Sequence, residues 1–121
     1  VDEWVEGMRG KLSDAEMIHH HMEEISARLS SEIGDLENSP VKTNLQTKET
    51  ALVAAIPAFK TALVALETPM EDLRGFDWTT TSSKDYRDKL NEIKSLAADA
   101  QSKYVPVRVS VVYMVKALGR A

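Results

Sequence analysis

Three consecutive histidines, His19, His20 and His21, are the residues whose types most directly suggest chemistry. Imidazole is a common zinc ligand, and a carboxylate one helical turn away can share the ion. Successive residues of a helix point about 100° apart, so the three imidazoles cannot converge on one metal. Glu16, His20 and Glu23 share a helical face, but a zinc site needs a fourth ligand and no second pair of close ligands is visible. We therefore expect a polar helix flank with His–Glu pairs and no metal.

Other catalytic chemistry has no recognisable motif in this chain. The sequence contains no cysteine, which excludes disulfides, thiolate metal sites and cysteine nucleophiles. It also contains neither a Gly-x-Ser-x-Gly nucleophile elbow nor a glycine-rich phosphate loop. Carboxylates along the predicted helices are better explained by solvation than by acid–base catalysis. We expect no enzyme activity and no cofactor.

A short segment that contains two aromatic residues is the best candidate for a contact surface. Arg74, Phe76, Asp77 and Trp78 lie in a stretch without helical or strand periodicity, which predicts a loop. Tryptophan and arginine are the residues that most often anchor protein interfaces, and loops present such residues to partners. The alternative is that Phe76 and Trp78 fold back and close one end of the helical core.

The charge distribution is uneven along the chain. The first 40 residues hold ten acidic and three basic residues, a net charge of −7, whereas the remainder carries +3. Nucleic acids and anionic membranes require a basic surface, so neither is expected as a partner. We nominate Glu23 and Glu24 from this acidic region as partner-contacting residues; the alternative is an ordinary solvated face.

The segment 41–67 has the strongest periodicity and must organise the fold that positions these residues. Its large apolar residues recur at helical spacing, and the intervening positions are mostly alanine, threonine and lysine. The apolar stripe consists of Leu45, Leu52, Ile56, Phe59, Leu63 and Leu66. A helix this apolar has to be covered by other helices on more than one side. Ser39 and Pro40 predict its start, and Pro57 predicts a kink or a break within it.

Capping signals divide the preceding segment into two predicted helices. The first ends near Gly10. The second begins at Ser13, which forms a capping box with Glu16, and ends at Gly34 or in the turn at 37–39.

Similar signals divide the segment that follows the central helix. Pro69 predicts the start of a single short turn that ends at Gly75. Ser82 or Ser83 is expected to cap another helix, which Pro106 ends.

The tail at 107–118 fits two patterns. Its valines alternate as in a strand, while Val107, Val111, Met114 and Leu118 recur as in a helix. We predict a helix, with Gly119 as its C-cap, because no other segment offers a partner strand. The fold class is therefore all-α: one domain spanning residues 1–121, a compact bundle of about five or six helices around a Pro-kinked central helix. No apolar run approaches the ~20 residues that cross a bilayer, so a soluble protein is expected.

As a whole, the chain resembles the small salivary gland proteins of anopheline mosquitoes that inhibit the alternative pathway of complement. The resemblance rests on a cysteine-free chain of this size that opens VDEWVEGM at 1–8, has Pro- and Ser-capped helices, and closes VKALGR at 115–120. It implies a protein secreted in saliva that evades host immunity by binding the C3 convertase, C3b with factor Bb, and holding it inactive. It implies neither enzyme activity nor a cofactor, and no set of functional residues transfers with it.

Other functions remain open from the residues themselves. The chain begins with Val1 rather than Met, which fits either removal of a signal peptide or trimming. We expect a monomer, and the alternative function is a carrier with a small-ligand or lipid cavity between the helices. A third possibility is a structural helical module that associates with itself.

Overall fold

Three long helices make up the protein. A computed structural model describes residues 2–120 and the side chains of residues 3–119. Helix α1 spans Asp2–Gly34, α2 spans Pro40–Arg74 and α3 spans Ser83–Arg120. At 1.5 Å per residue they are about 50 to 57 Å long. The predicted all-α class is confirmed, whereas the predicted count of five or six helices is wrong.

The predicted boundary near Gly10 does not exist, because α1 passes through it without interruption. Ser13 lies inside the helix, so the expected capping box does not start a new one. A helical glycine costs only about 1 kcal/mol relative to alanine. Val5 on one side of Gly10 is buried, and Leu12 on the other side packs against the same core. One continuous helix keeps both in contact with that core.

The three predicted breaks at proline are also absent. Pro57 and Pro69 lie inside α2 and Pro106 lies inside α3. Proline removes the hydrogen bond to the carbonyl four residues earlier, which leaves that oxygen without its helical donor. The carbonyl affected by Pro57 is that of Val53, and the carbonyl affected by Pro106 is that of Ser102. Both residues are exposed to solvent, so water can replace the lost donor. The helices therefore continue at a moderate energetic cost.

The tail at 107–118 is helical, as predicted, and forms the last part of α3. Val107, Val111 and Met114 are buried, so the helical stripe rather than the strand-like alternation describes its packing. The expected C-cap at Gly119 is wrong, because this residue still lies within α3.

Helix α2 is the central element, as its periodicity predicted. All six residues of the predicted stripe are buried, and three more buried residues, Pro69, Met70 and Leu73, extend it towards the end of the helix. Both α1 and α3 pack extensively on α2, while α1 and α3 contact each other least. By length and composition alone α2 could cross a membrane, so the expectation that no segment has this property was too strict. The core helix of a soluble protein has the same composition, since it must be apolar to be covered on two sides.

Local polar contacts fix the ends of the helices. The Ser39 hydroxyl accepts a hydrogen bond from the Lys42 amide at 3.2 Å, which confirms the predicted cap of α2. The Lys42 ammonium donates to the carbonyl of Leu36 at 2.9 Å and to that of Gly34 at 3.2 Å, just where α1 ends. Of the two serines proposed to cap α3, Ser82 does so, accepting from the Asp85 amide at 3.1 Å.

Three contacts between side chains of different helices add to the apolar packing. Arg9 pairs with Glu71 at 2.8 Å and joins the start of α1 to the end of α2. Lys89 pairs with Asp72 at 3.3 Å, and the Asn44 amide donates to the Tyr113 hydroxyl at 2.8 Å. Both of these join α2 to α3. Successive helices therefore run antiparallel.

Replacement of Pro57 by alanine should stabilise the protein. The change restores the missing amide donor and removes the ring from an exposed position, so the free energy of unfolding should rise by about 2 kcal/mol. Urea unfolding measures this change. Pro40→Ala is the matched control, because Pro40 occupies the first turn of α2, where proline is favourable. Equal effects at the two positions, or no gain at Pro57, would contradict this account of the helix.

Candidate functional site

The loop at 75–82 connects α2 to α3 and orients its two aromatic residues differently. Phe76 is half-buried, and its ring meets that of Tyr86 edge-on with 5.3 Å between centroids. The Tyr86 hydroxyl also donates to the Phe76 carbonyl at 3.4 Å. Trp78, in contrast, is 83% exposed. The structure thus places Phe76 at the base of the loop and Trp78 in solvent.

Asp77 organises the tip of this loop. Its carboxylate oxygen Oδ1 accepts hydrogen bonds from the Thr79 amide at 2.9 Å and from the Thr79 hydroxyl at 2.7 Å. Its carbonyl accepts from the amides of Thr80 and Thr81 at 3.1 and 2.8 Å. The two hydrogen bonds from Thr79 to the carboxylate lower the pKa of Asp77, because they stabilise its ionised form. The bond from the Thr79 hydroxyl has the larger effect and the bond from the Thr79 amide the smaller. Trp78 is therefore carried on a hydrogen-bonded turn.

Arg74 lies at the other side of the same loop, as the last residue of α2. Its side chain is exposed, and its charge suits the negative end of the helix dipole. The amide of Gly75 closes the last turn by donating to the Glu71 carbonyl at 3.0 Å. Arg74, Asp77 and Trp78 thus present a cation, an anion and an indole within one short segment.

The histidine run lies on α1 and engages both nominated glutamates. His19 is buried beside Phe59, and its Nδ1 lies 3.4 Å from Glu23 Oε1. His20 Nε2 lies 2.8 Å from Glu24 Oε1. Among the residues that the structure describes, no three metal-binding side chains converge. The predicted polar flank with His–Glu pairs is present.

Glu23 and Glu24 do not share a surface with the loop. Arg9 of α1 lies beside the end of α2, because it forms an ion pair with Glu71. Glu23 is fourteen residues further along α1, a rise of about 21 Å. The structure therefore keeps the acidic candidates and the aromatic loop apart, although the sequence grouped them as one set.

An apolar pocket lies between the three helices, where the carrier alternative expects a cavity, but the sequence did not identify the residues that line it. It encloses about 230 Å³. Helix α2 forms its floor with buried side chains, and α1 and α3 form its two walls. The apolar lining comprises Met8, Leu12, Ala15, Ile18, Phe59, Leu63, Leu66, Met70, Ala97, Ala100 and the ring of Tyr104.

The pocket has a simple cause in side-chain size. Its walls carry alanine at Ala15, Ala97 and Ala100, where longer side chains would meet across the gap between α1 and α3. The two helices contact each other little, so nothing else fills the space. The alanines at core positions of α3 were the sequence feature that could have indicated a pocket. Alanine is equally typical of closely packed helices, however, so this feature alone does not predict one.

A second apolar surface lies on the solvent side of α3. Val105, Val109 and Val112 are exposed and form one stripe beside Tyr113. Lys48 of α2 lies 5.0 Å above the Tyr113 ring. Of the alternating valines in the sequence, Val105 and Val109 belong to this stripe, whereas Val107 and Val111 are buried in the core.

Comparison with protein families, with curated proteins and with solved structures gives no match to this chain.

The Thr79 hydroxyl should control the ionisation of Asp77. Thr79→Val removes the hydrogen bond from the Thr79 hydroxyl, which lowers the pKa of Asp77 more than the amide bond does. The pKa of Asp77 should therefore rise towards its ordinary value. A carboxylate with a lowered pKa stabilises the folded loop above about pH 4, and the contribution is lost as the pH falls through the lowered value. An NMR pH titration of the Asp77 carboxyl and the Thr79 amide measures both effects.

Thr80→Val is the matched control for that titration. Thr80 contacts Asp77 through its backbone amide, which valine retains. The pKa of Asp77 should stay lowered in this variant. Equal shifts of the Asp77 pKa in Thr79→Val and Thr80→Val would show that the Thr79 hydroxyl does not control it.

Proposed function

We propose that this protein is a secreted inhibitor of the alternative complement pathway that binds the C3 convertase, C3b with factor Bb, and holds it inactive. The observation that carries the proposal is Trp78, an indole 83% exposed on a turn that Asp77 holds. The resemblance of the whole chain to mosquito salivary inhibitors supplies the partner. Inhibition of this kind needs tight stoichiometric binding and no catalytic groups.

A tryptophan presented in this way is suited to anchoring an interface. Its large amphipathic ring has few rotatable bonds, and the turn beneath it is ordered by hydrogen bonds, so little conformational entropy is lost on binding. Arg74 and Asp77 supply charged groups for the rim around such an anchor. Phe76 supports the loop from below through its contact with Tyr86.

The acidic flank of α1 contributes in a different way under this proposal. Glu23 and Glu24 are exposed, but both are paired with histidines and lie far from the loop. Charges at that distance affect the rate of encounter with a basic surface more than the strength of the final complex. Their contribution should therefore decline as salt concentration increases.

Trp78→Ala should weaken binding to the preassembled convertase by about 30-fold or more, the effect of removing an interface anchor. Surface binding to C3b–Bb, compared with C3b alone, measures the affinity. An alternative-pathway lysis assay should show the same loss of potency. Thr80→Ala, an exposed substitution two residues away, is the control and should retain both activities.

Two results would count against the proposal. Absence of any effect of the unmodified protein on lysis at saturating concentration would reject convertase inhibition. Full inhibition by a folded Trp78→Ala protein would retain the function but reject the loop as its contact surface.

The second candidate function is carriage of a small apolar ligand, and the pocket between the three helices favours it. Sites for small molecules are typically concave and apolar with a few polar groups at the edge. A native-state mass spectrum of the purified protein should show a co-purified mass that disappears on denaturation. A single species at the mass of the polypeptide, together with no binding of added apolar compounds, would reject this function.

A further inference from the structure

The pocket between α1, α2 and α3 has a floor of buried apolar side chains. Phe59, Leu63, Leu66 and Met70 of α2 are each at most 5% exposed, and they lie in one row along the helix. A row of apolar groups at intervals of three and four residues is about 16 Å long, the dimension of an extended alkyl chain rather than of a round ligand. An apolar cavity of about 150 Å³ already binds benzene. This pocket, at about 230 Å³, has room for a somewhat larger apolar group.

The edge of the pocket carries one charge, and it is positive. Lys11 and Gln101 are the exposed polar residues of its lining, and no carboxylate lines the pocket. Arg9 is already paired with Glu71 at 2.8 Å and with Glu6 at 3.9 Å. Among the described residues Lys11 has no carboxylate within ion-pair distance. Its ammonium is therefore available to an anion at the opening.

Acidic residues nearby determine where an anion could lie. Glu16 and Glu67 line a neighbouring polar cleft, which shares Leu12 and Met70 with the pocket. On α1, Glu16 and Lys11 point about 140° apart, so they face opposite sides of the helix. On the side of Lys11 the exposed carboxylate of Asp14 is one helical turn away, but it forms no ion pair with the lysine. A negative group is therefore repelled more on the side of the cleft than on the side of Lys11.

We infer that the pocket binds a single-chain amphiphile with an anionic head group, of the class of medium-chain carboxylates. The alkyl chain lies along the α2 floor, and the carboxylate lies beside the Lys11 ammonium at the Met70 end, because the Arg9–Glu71 pair sets Lys11 level with that end of α2. The inference rests on the proposed carrier function and specifies its ligand class. It does not depend on complement inhibition.

Titration calorimetry of the full chain with four probes tests the inference. Decanoate should bind, and octanoate should bind about 15-fold more weakly, because each buried methylene contributes about fourfold in affinity. Decanol lacks the charge and should bind about fivefold more weakly than decanoate, the effect of one exposed ion pair. Decylamine, which places a cation beside Lys11, should bind most weakly.

Two variants with a matched control locate the site. Ala97→Leu fills the wall of the pocket and should abolish decanoate binding, whereas Ala98→Leu, exposed on the next position of α3, should not change it. Lys11→Gln should weaken decanoate about fivefold and leave decanol unchanged. Because Lys11 is exposed, this variant tests the head-group position even if Ala97→Leu lowers stability.

The outcomes distinguish the ligand class from the carrier function. Equal affinities for decanoate, decanol and decylamine, with no effect of Lys11→Gln, would overturn the anionic class and leave a carrier of neutral ligands. Binding of decanoate that survives in a folded Ala97→Leu protein would overturn the pocket as its site. Binding of none of the probes would overturn both the ligand class and the carrier function.

Discussion

Burial of the α2 apolar stripe is the constraint on which the rest of the structure depends. The stripe is too wide for one partner helix, so α1 and α3 both pack on it and have little surface left for each other. At roughly 1.5 to 3 kcal/mol for each large side chain removed from water, this burial is the largest stabilising contribution in the fold. The pocket follows from the same arrangement, because the space between the outer helices above α2 is lined by alanine on both walls.

The same constraint explains which parts of the fold could be predicted from sequence. Periodicity identified the α2 stripe, the lack of a partner strand decided the helical tail, and the Ser39-Pro40 signal predicted the cap. Local signals failed at Gly10, Pro69 and Pro106, where propensity favours a boundary, and of the kink or break expected at Pro57 no break occurs. A glycine or a proline inside a helix costs about 1 to 3 kcal/mol. Breaking α2 at Pro57 would risk the burial of both Ile56 and Phe59, which is worth at least as much.

The candidate sites differ in how far the sequence could predict them. Composition located the loop and its tryptophan, but it could not decide between Phe76 and Trp78. That choice depends on Tyr86, ten residues away, whose ring and hydroxyl both hold Phe76 inward. A cavity between the helices was one alternative from the sequence, but its position and lining could not be predicted. Ala97 and Ala100 leave a cavity only because α1 places Ala15 opposite them, and this juxtaposition exists only in three dimensions.

The loop and the pocket are neighbours along α2, yet the structure separates them mechanically. Met70 lines the pocket and lies one turn before Arg74, where the loop begins. The turn between them is fixed on both sides, by the Arg9–Glu71 pair towards α1 and by the Lys89–Asp72 pair towards α3, with Leu73 buried beneath. None of these five residues lines the pocket. A ligand bound as proposed would therefore leave these contacts in place, and Met70 is the residue through which it could affect the loop.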